Sequence, residues 1–116
     1  MKKILSVCAV AVLLSACAGG GSKPLYYWGS YEKSMYLNMK QEQYDPNEQI
    51  AALEKDQAKA ASLNLPLPPG FYAYLGMLYD QVGKRQAAHD AFTQEKALFP
   101  ESEAYMNFLL KKAKGK

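Results

Sequence analysis

The fold is decided by the stretch Tyr72-Ala73-Tyr74-Leu75-Gly76-Met77-Leu78-Tyr79, which is followed by Gly83, by Ala88 and Phe92, and by Pro100. Gly76 and Ala88 are small enough to let two helices approach closely. Tyr79 and Phe92 are large enough to fill the space between those helices. Gly83 supplies a residue that adopts the left-handed conformation needed where the first helix ends. The stretch therefore predicts a packed helical hairpin.

This spacing is that of the tetratricopeptide motif over one period of about 34 residues, from Pro69 to Ser102, with Tyr72 where the motif has tryptophan. Glu95 stands where the motif usually has a small residue, which weakens the match at the joint to the next helix. That helix, predicted from about Ser102 to Lys114, is hydrophobic enough to stack as the cap that a terminal repeat needs. We expect an all-α fold of tetratricopeptide-like helical hairpins, with about five helices in the mature domain.

Two helices are predicted upstream of the motif. The first runs from about Ser30 to Gln41. The second begins at Asp45, an acidic N-cap that is followed by Pro46 at the first helical position. Glu48 is placed so that its side chain can reach back to the backbone N–H of the N-cap residue. Its apolar stripe is formed by Ile50, Leu53, Ala58, Ala61 and Leu65. The proline-rich residues 65–70 end this helix.

The N-terminus has the pattern of a bacterial lipoprotein signal. Lys2 and Lys3 precede an apolar stretch that is too short to span a bilayer, and Leu14-Ser15-Ala16-Cys17 fits the lipid-attachment pattern. The alternative is an ordinary secreted protein with an accidental cysteine. We expect residues 1–16 to be a signal peptide, residues 17–24 a lipidated Cys17 with a flexible tether, and residues 25–116 the tetratricopeptide-like helical domain.

Lipidation of Cys17 defines the expected location. Two or three acyl chains hold a protein on a membrane almost permanently. Because Ala18 is not the aspartate that retains lipoproteins at the inner membrane, we expect the periplasmic face of the outer membrane. Loss of the leader with its two lysines lowers the formal net charge from +3 to +1, so no nucleic-acid partner is expected.

Candidate partner-binding residues fall in two groups. Tyr27, Trp28 and Tyr31 belong to the aromatic segment Leu25-Tyr26-Tyr27-Trp28-Gly29-Ser30-Tyr31-Glu32, which either caps the open end of the fold or docks a partner. The second group lies on the first helix of the motif, which lines the concave surface in tetratricopeptide proteins. It consists of Ala73, Met77, Asp80 and Gln81, and such a surface suits a helix or an extended peptide.

Residue types that carry catalysis or bind metals are sparse. His89 is the only histidine, and it has Asp90 beside it but no cysteine within reach, so we interpret it as a solvated side chain. No catalytic residue, metal, cofactor or small-molecule substrate is expected, and the protein is not expected to be an enzyme. The basic tail of Lys111, Lys112, Lys114 and Lys116 is either a solvated terminus or a contact for anionic lipid or cell-wall polymer.

The aromatic segment, Tyr36, the Pro-Pro-Gly at 68–70 and the run Lys96-Ala97-Leu98-Phe99-Pro100-Glu101-Ser102 resemble a family of small proteobacterial lipoproteins with a domain of unknown function. Members of that family are typically encoded beside lipoproteins similar to the curli secretion channel. The resemblance implies a shared envelope or secretion apparatus as the partner and no catalytic residue. We expect a periplasmic adaptor or assembly lipoprotein. The alternatives are a module that binds cell wall or anionic lipid and an enzyme that acts on envelope polymers.

Overall fold

The computed structural model describes residues 24–41 and 44–114, where all regular structure is helical. The helices are α1 (Tyr31–Lys40), α2 (Pro46–Ser62), α3 (Phe71–Gln81), α4 (Arg85–Leu98) and α5 (Glu103–Lys114), and a short 3-10 turn (Pro100–Ser102) precedes α5. The all-α fold with about five helices is confirmed. The predicted signal peptide (residues 1–16), the predicted lipidation site Cys17 and the predicted tether up to Lys23 lie outside the described residues, as does Lys116. Within the described ranges, no helix is both long and apolar enough to cross a membrane.

Helix α2 begins as its sequence predicts. Asp45 is in an extended conformation, and its carboxylate accepts a hydrogen bond from the backbone N–H of Asn47 at 2.9 Å. Pro46 occupies the first helical position, where its missing N–H costs nothing. The helix ends at Ser62, before the proline-rich connection. Local capping chemistry therefore determines where this helix begins.

The buried face of α2 differs from the predicted apolar stripe. Ile50 and Leu53 are buried as expected, but Ala58 and Ala61 are exposed. Other residues complete the buried face, namely Gln49, Asp56 and Ala60. Polar side chains can replace apolar ones here because each has a hydrogen-bond partner on another part of the chain.

Helices α3 and α4 form the hairpin that the motif predicts. Gly83 has φ of +80°, and the N–H of the next residue, Lys84, donates to the carbonyl of Tyr79 at 2.9 Å. The close approach occurs at Gly76, where a Cβ atom would lie 2.5 Å from Cε1 of Phe92. Since real Cβ atoms almost never come this close to a carbon, only glycine fits at position 76 without a shift of the Phe92 ring.

Two hydrophobic clusters stabilise the domain. The larger one joins α1, α2 and α3 with the connection at Leu67, and the smaller one joins α4 to α5 through Ala88, Phe92 and Met106. Met106 is buried, whereas Tyr105 and Phe108 are exposed on another side of α5 with their ring centroids 6.5 Å apart. The last helix thus packs on the body with one face and leaves an aromatic face open.

Glu95 has a structural role, although it does not match the small residue that the tetratricopeptide motif has at this position. It lies on α4 with only 2 % of its surface exposed, and its Oε1 accepts the backbone N–H of Gly70 at 2.6 Å. Burial raises the pKa of the Glu95 carboxyl above its usual value, and the hydrogen bond from the backbone N–H of Gly70, together with the nearby N–H groups of Ala73 and Tyr72, opposes that rise. Glu95 therefore caps the N-terminus of α3 from a neighbouring helix, and a small residue would leave the N–H of Gly70 without this acceptor.

Candidate functional site

The aromatic segment is attached to α2 by a buried carboxylate. Asp56 Oδ2 accepts the backbone N–H of Ser30 at 2.8 Å and the Ser30 hydroxyl at 2.5 Å, so it caps the N-terminus of α1. Gly29 has φ of +50°, and a Cβ atom there would lie 2.5 Å from Cγ of Asp56. The contact with Asp56 therefore explains why a glycine and a serine follow Trp28, and it holds the aromatic segment against α2.

The three aromatic candidates of this segment have different environments. Tyr31 is buried in the larger cluster, where its ring packs against those of Phe71 and Tyr74. Tyr27 is half-buried, and its backbone N–H donates to the carbonyl of Pro66 at 2.8 Å. Trp28 is 43 % exposed and stacks on Tyr31 with ring centroids 6.2 Å apart. The segment thus covers the core through Tyr31 and leaves nearly half of the Trp28 surface exposed.

We expect Trp28→Ala to lower the free energy of unfolding by only about 1–2 kcal/mol, because Tyr31 loses its stacked indole but only part of the indole surface is buried. Urea unfolding followed by circular dichroism measures the change. Leu25→Ala, at a residue that is 81 % exposed, is the matched control and should leave stability unchanged. A loss above about 3 kcal/mol for Trp28→Ala would mean that the indole is fully buried.

An apolar groove lies between the odd-numbered helices α1, α3 and α5. Its volume is about 350 Å³. The residues that line it are Tyr31, Met35, Asn38, Met39, Gly70, Ala73, Tyr74, Met77 and Tyr105. All of them are neutral, and three are methionines. Because methionine side chains are flexible and polarisable, they adapt to apolar surfaces of different shapes.

The groove contains part of the second predicted group. Ala73 and Met77 line it, and Met77 is 36 % exposed. Asp80 and Gln81 lie further along α3, and neither is among the described lining residues. Gln81 accepts a hydrogen bond from the hydroxyl of Tyr44, and Asp80 is half-buried. The structure therefore brings Tyr31, Ala73 and Met77 together and places Asp80 and Gln81 elsewhere.

Sequence reasoning missed three groove residues, namely Met35, which is partly buried, and Met39 and Tyr105, which are exposed. Tyr31, Met35 and Met39 recur every four residues along α1, which is a helical stripe that could have been recognised. Tyr105 gave no such signal, because only the packing of α5 on α4 brings it to the groove. Met39 is the most accessible of the three, with 80 % of its surface exposed.

A buried polar cluster supports the base of the groove. The Tyr74 hydroxyl lies within hydrogen-bond distance of the Gln49 side chain and of the Ser34 carbonyl, the latter at 3.0 Å, and Asn38 donates to it at 3.3 Å. Burial raises the pKa of Tyr74 to about 12, against the opposing hydrogen bond from Asn38. The hydroxyl is therefore neutral at physiological pH, and the cluster connects α1, α2 and α3 beneath the groove.

The remaining candidates lie apart from the groove. His89 is exposed, and its Nδ1 lies 3.7 Å from Oδ1 of Asp90. Lys111 and Lys112 are exposed on α5. In residues 24–41 and 44–114, no group of three histidine, cysteine or acidic side chains is placed to hold a metal ion.

Comparison with known proteins gives a family. A family model described as a domain of unknown function (DUF4810) matches residues 25–109, from the aromatic segment into the last helix. No curated protein and no solved structure gives a significant match to the chain. Since the matched residues include all of α1, α2, α3 and α4, the chain belongs to the family of the domain of unknown function DUF4810.

Proposed function

We propose that this protein is a lipid-anchored adaptor or assembly factor in the periplasm, and that it holds a partner polypeptide in the groove between α1, α3 and α5. The observation that carries the proposal is the set of exposed methionines in a neutral concave surface, since Met39 and Met77 remain accessible beside a well-packed core. Apolar side chains left in such a groove are typical of surfaces that receive the apolar face of a helix.

The arrangement of helices supports the same function. The groove is lined by the first helix of the α3–α4 hairpin together with α1 and α5, which is how a tetratricopeptide-like array forms its concave surface. The resemblance to small proteobacterial lipoproteins encoded beside relatives of the curli secretion channel favours another envelope lipoprotein or a secretion component as the partner. The partly exposed Trp28 stacks on Tyr31 at the groove and extends the surface available for docking.

We expect Met39→Glu to weaken partner retention by at least about thirtyfold, equivalent to about 2 kcal/mol, because it places a charge in an apolar contact. Co-purification from solubilised membranes with quantitative mass spectrometry measures retention. Leu63→Glu is the matched control, since Leu63 is a half-exposed apolar residue after α2 and lies outside the groove. Equal retention by both variants would contradict groove binding.

The alternative function as a cell-wall or anionic-lipid binding module predicts a different response to salt. An adaptor that uses an apolar groove should keep its partner as ionic strength rises, whereas binding of cell-wall or lipid anions by lysines should be lost. Retention at moderate salt that depends on Met39 therefore favours the adaptor. Retention that is lost with salt in the unmodified protein favours the electrostatic module.

Membrane attachment through Cys17 is part of the proposal. We expect Cys17→Ala to remain an unprocessed and unacylated precursor, because lipid transfer to the sulfur precedes cleavage after Ala16. Metabolic labelling with a radioactive fatty acid measures acylation, and fractionation of the outer and inner membranes tests the location inferred from Ala18. Label retained by the variant would contradict lipidation at Cys17.

A further inference from the structure

A second cleft lies on the opposite side of α3 from the groove. Its floor is formed by Tyr72, Leu75 and Tyr79, which share one face of the helix because they are three and then four residues apart. One wall is Gln57 on α2, and the other is on α4. The α4 wall consists of Ala87, Asp90, Ala91 and Gln94. The volume is about 420 Å³, which is within the range of about 300–1,000 Å³ that small-ligand sites occupy.

The two aromatic rings of this cleft are held in fixed positions. Gln57 Nε2 lies 3.4 Å from the Tyr72 hydroxyl, to which it donates, and the Tyr79 hydroxyl donates to Glu54 Oε1 at 3.0 Å. Burial and the neighbouring Glu54 raise the pKa of Tyr79 to about 12, so its hydroxyl stays protonated at physiological pH. Rings that are already ordered lose little conformational entropy when a ligand binds.

The α4 wall presents polar groups that are open to a ligand. Gln94 is exposed, and its carboxamide makes no hydrogen bond to any part of the chain that the structure describes. Asp90 Oδ1 accepts a hydrogen bond from Gln86 Nε2 at 3.0 Å, and its second oxygen is available. Ala87 and Ala91 complete this wall, and their small side chains leave room for a ligand in front of it.

The chemistry of the lining identifies a class of ligand. Carboxamides and phenol hydroxyls both donate and accept hydrogen bonds, and a carboxylate accepts several. Aromatic rings cover apolar C–H groups. None of the described lining residues is cationic, so the cleft does not favour a phosphate. A hexose ring presents hydroxyl groups around its edge and C–H groups on its faces, and this combination matches both the walls and the floor.

We propose that this cleft binds a hexose unit of a neutral or N-acetylated glycan, with Gln57, Asp90 and Gln94 bonding its hydroxyl or amide groups above Tyr72 and Tyr79. This activity goes beyond holding a polypeptide, since it uses the other face of α3. An adaptor with such a cleft contacts a protein on one side and a glycan of the envelope on the other.

The test uses the full chain, purified in a detergent without a sugar headgroup. The probes are chitotriose and maltotriose, and the measurements are saturation-transfer NMR and isothermal titration calorimetry. We expect saturation transfer to at least one trisaccharide. Binding of chitotriose alone supports an N-acetylated unit, and binding of both supports recognition of the hexose ring itself. No transfer to either trisaccharide at millimolar concentration would overturn the proposal.

Variants locate the binding site. Gln94→Ala and Asp90→Asn should each weaken sugar binding about fivefold, since the first removes a hydrogen-bonding carboxamide and the second replaces a carboxylate acceptor by an amide donor. Thr93→Ala is the matched control, because Thr93 is exposed on α4 and its hydroxyl bonds to its own helix at the carbonyl of His89. Met39→Glu, in the groove, should leave sugar affinity unchanged. Equal affinity in all four variants would overturn the assignment of the cleft, whether or not the groove binds a partner.

Discussion

Gly76→Leu should lower the free energy of unfolding by about 3 kcal/mol or more, because it forces four carbon atoms into the contact between α3 and α4. The first of these, Cβ, would already overlap the Phe92 ring, with three ring carbons between 2.5 and 3.1 Å away. Both residues are buried, so neither can move toward solvent. Urea unfolding followed by circular dichroism measures the loss.

Ala73→Leu is the matched control for Gly76→Leu. Ala73 is on the same helix but faces the open groove, so the added side chain has space and stability should change by less than about 1 kcal/mol. The stability loss of Gly76→Ala should fall between those of Gly76→Leu and Ala73→Leu, since a single methyl group already meets the Phe92 ring. Equal losses for Gly76→Leu and Ala73→Leu would contradict the packing of this hairpin.

The hairpin was predictable because its determinants are local in sequence. Gly76 and Phe92 are 16 residues apart along the chain (92 − 76), and Gly83 lies between them at the turn that brings the helices together. Asp45 and Pro46 likewise determine the start of α2 through contacts within three residues. Composition and spacing are therefore sufficient to predict local structure where the residues that interact are close in sequence.

The buried polar residues were not predictable by the same reasoning. Asp56 and Glu95 both cap the N-terminus of another helix, and their partners Ser30 and Gly70 are 26 and 25 residues away. A pattern of apolar residues treats a carboxylate as exposed, so it assigned the buried face of α2 to alanines. The tetratricopeptide motif has a small residue at the position of Glu95, so Glu95 counted as a mismatch. The capping role follows only from the tertiary packing.

The candidate site was predictable only in part. The expected concave face of α3 includes Ala73 and Met77, which do line the groove, but the groove also needs Met39 from α1 and Tyr105 from α5. The spacing of residues along one helix shows which side chains share a face of that helix. It does not give the distance to the next helix, which decides whether that face is a groove or a packed contact.

Glu95→Ala should lower the free energy of unfolding by about 3 kcal/mol, because it leaves the part-buried N–H of Gly70 without its acceptor and removes the cap of α3. Gln94→Ala is the matched control, since the adjacent residue is exposed and its loss should change stability by less than about 0.5 kcal/mol. Urea unfolding at neutral pH measures both variants. Similar losses would contradict the capping role of Glu95.

Glu95→Gln separates the hydrogen bond from the charge. The amide oxygen can still accept from Gly70, so this variant should be far more stable than Glu95→Ala. Because burial raises the pKa of the Glu95 carboxyl, the folded state holds its proton more tightly than the unfolded state does. The resulting stabilisation is fully present below the unfolded pKa of about 4.5 and is lost as pH rises through the folded value. The stability of Glu95→Gln relative to the unmodified protein should therefore increase with pH across that window, and a constant difference would mean that the carboxyl is not perturbed by burial.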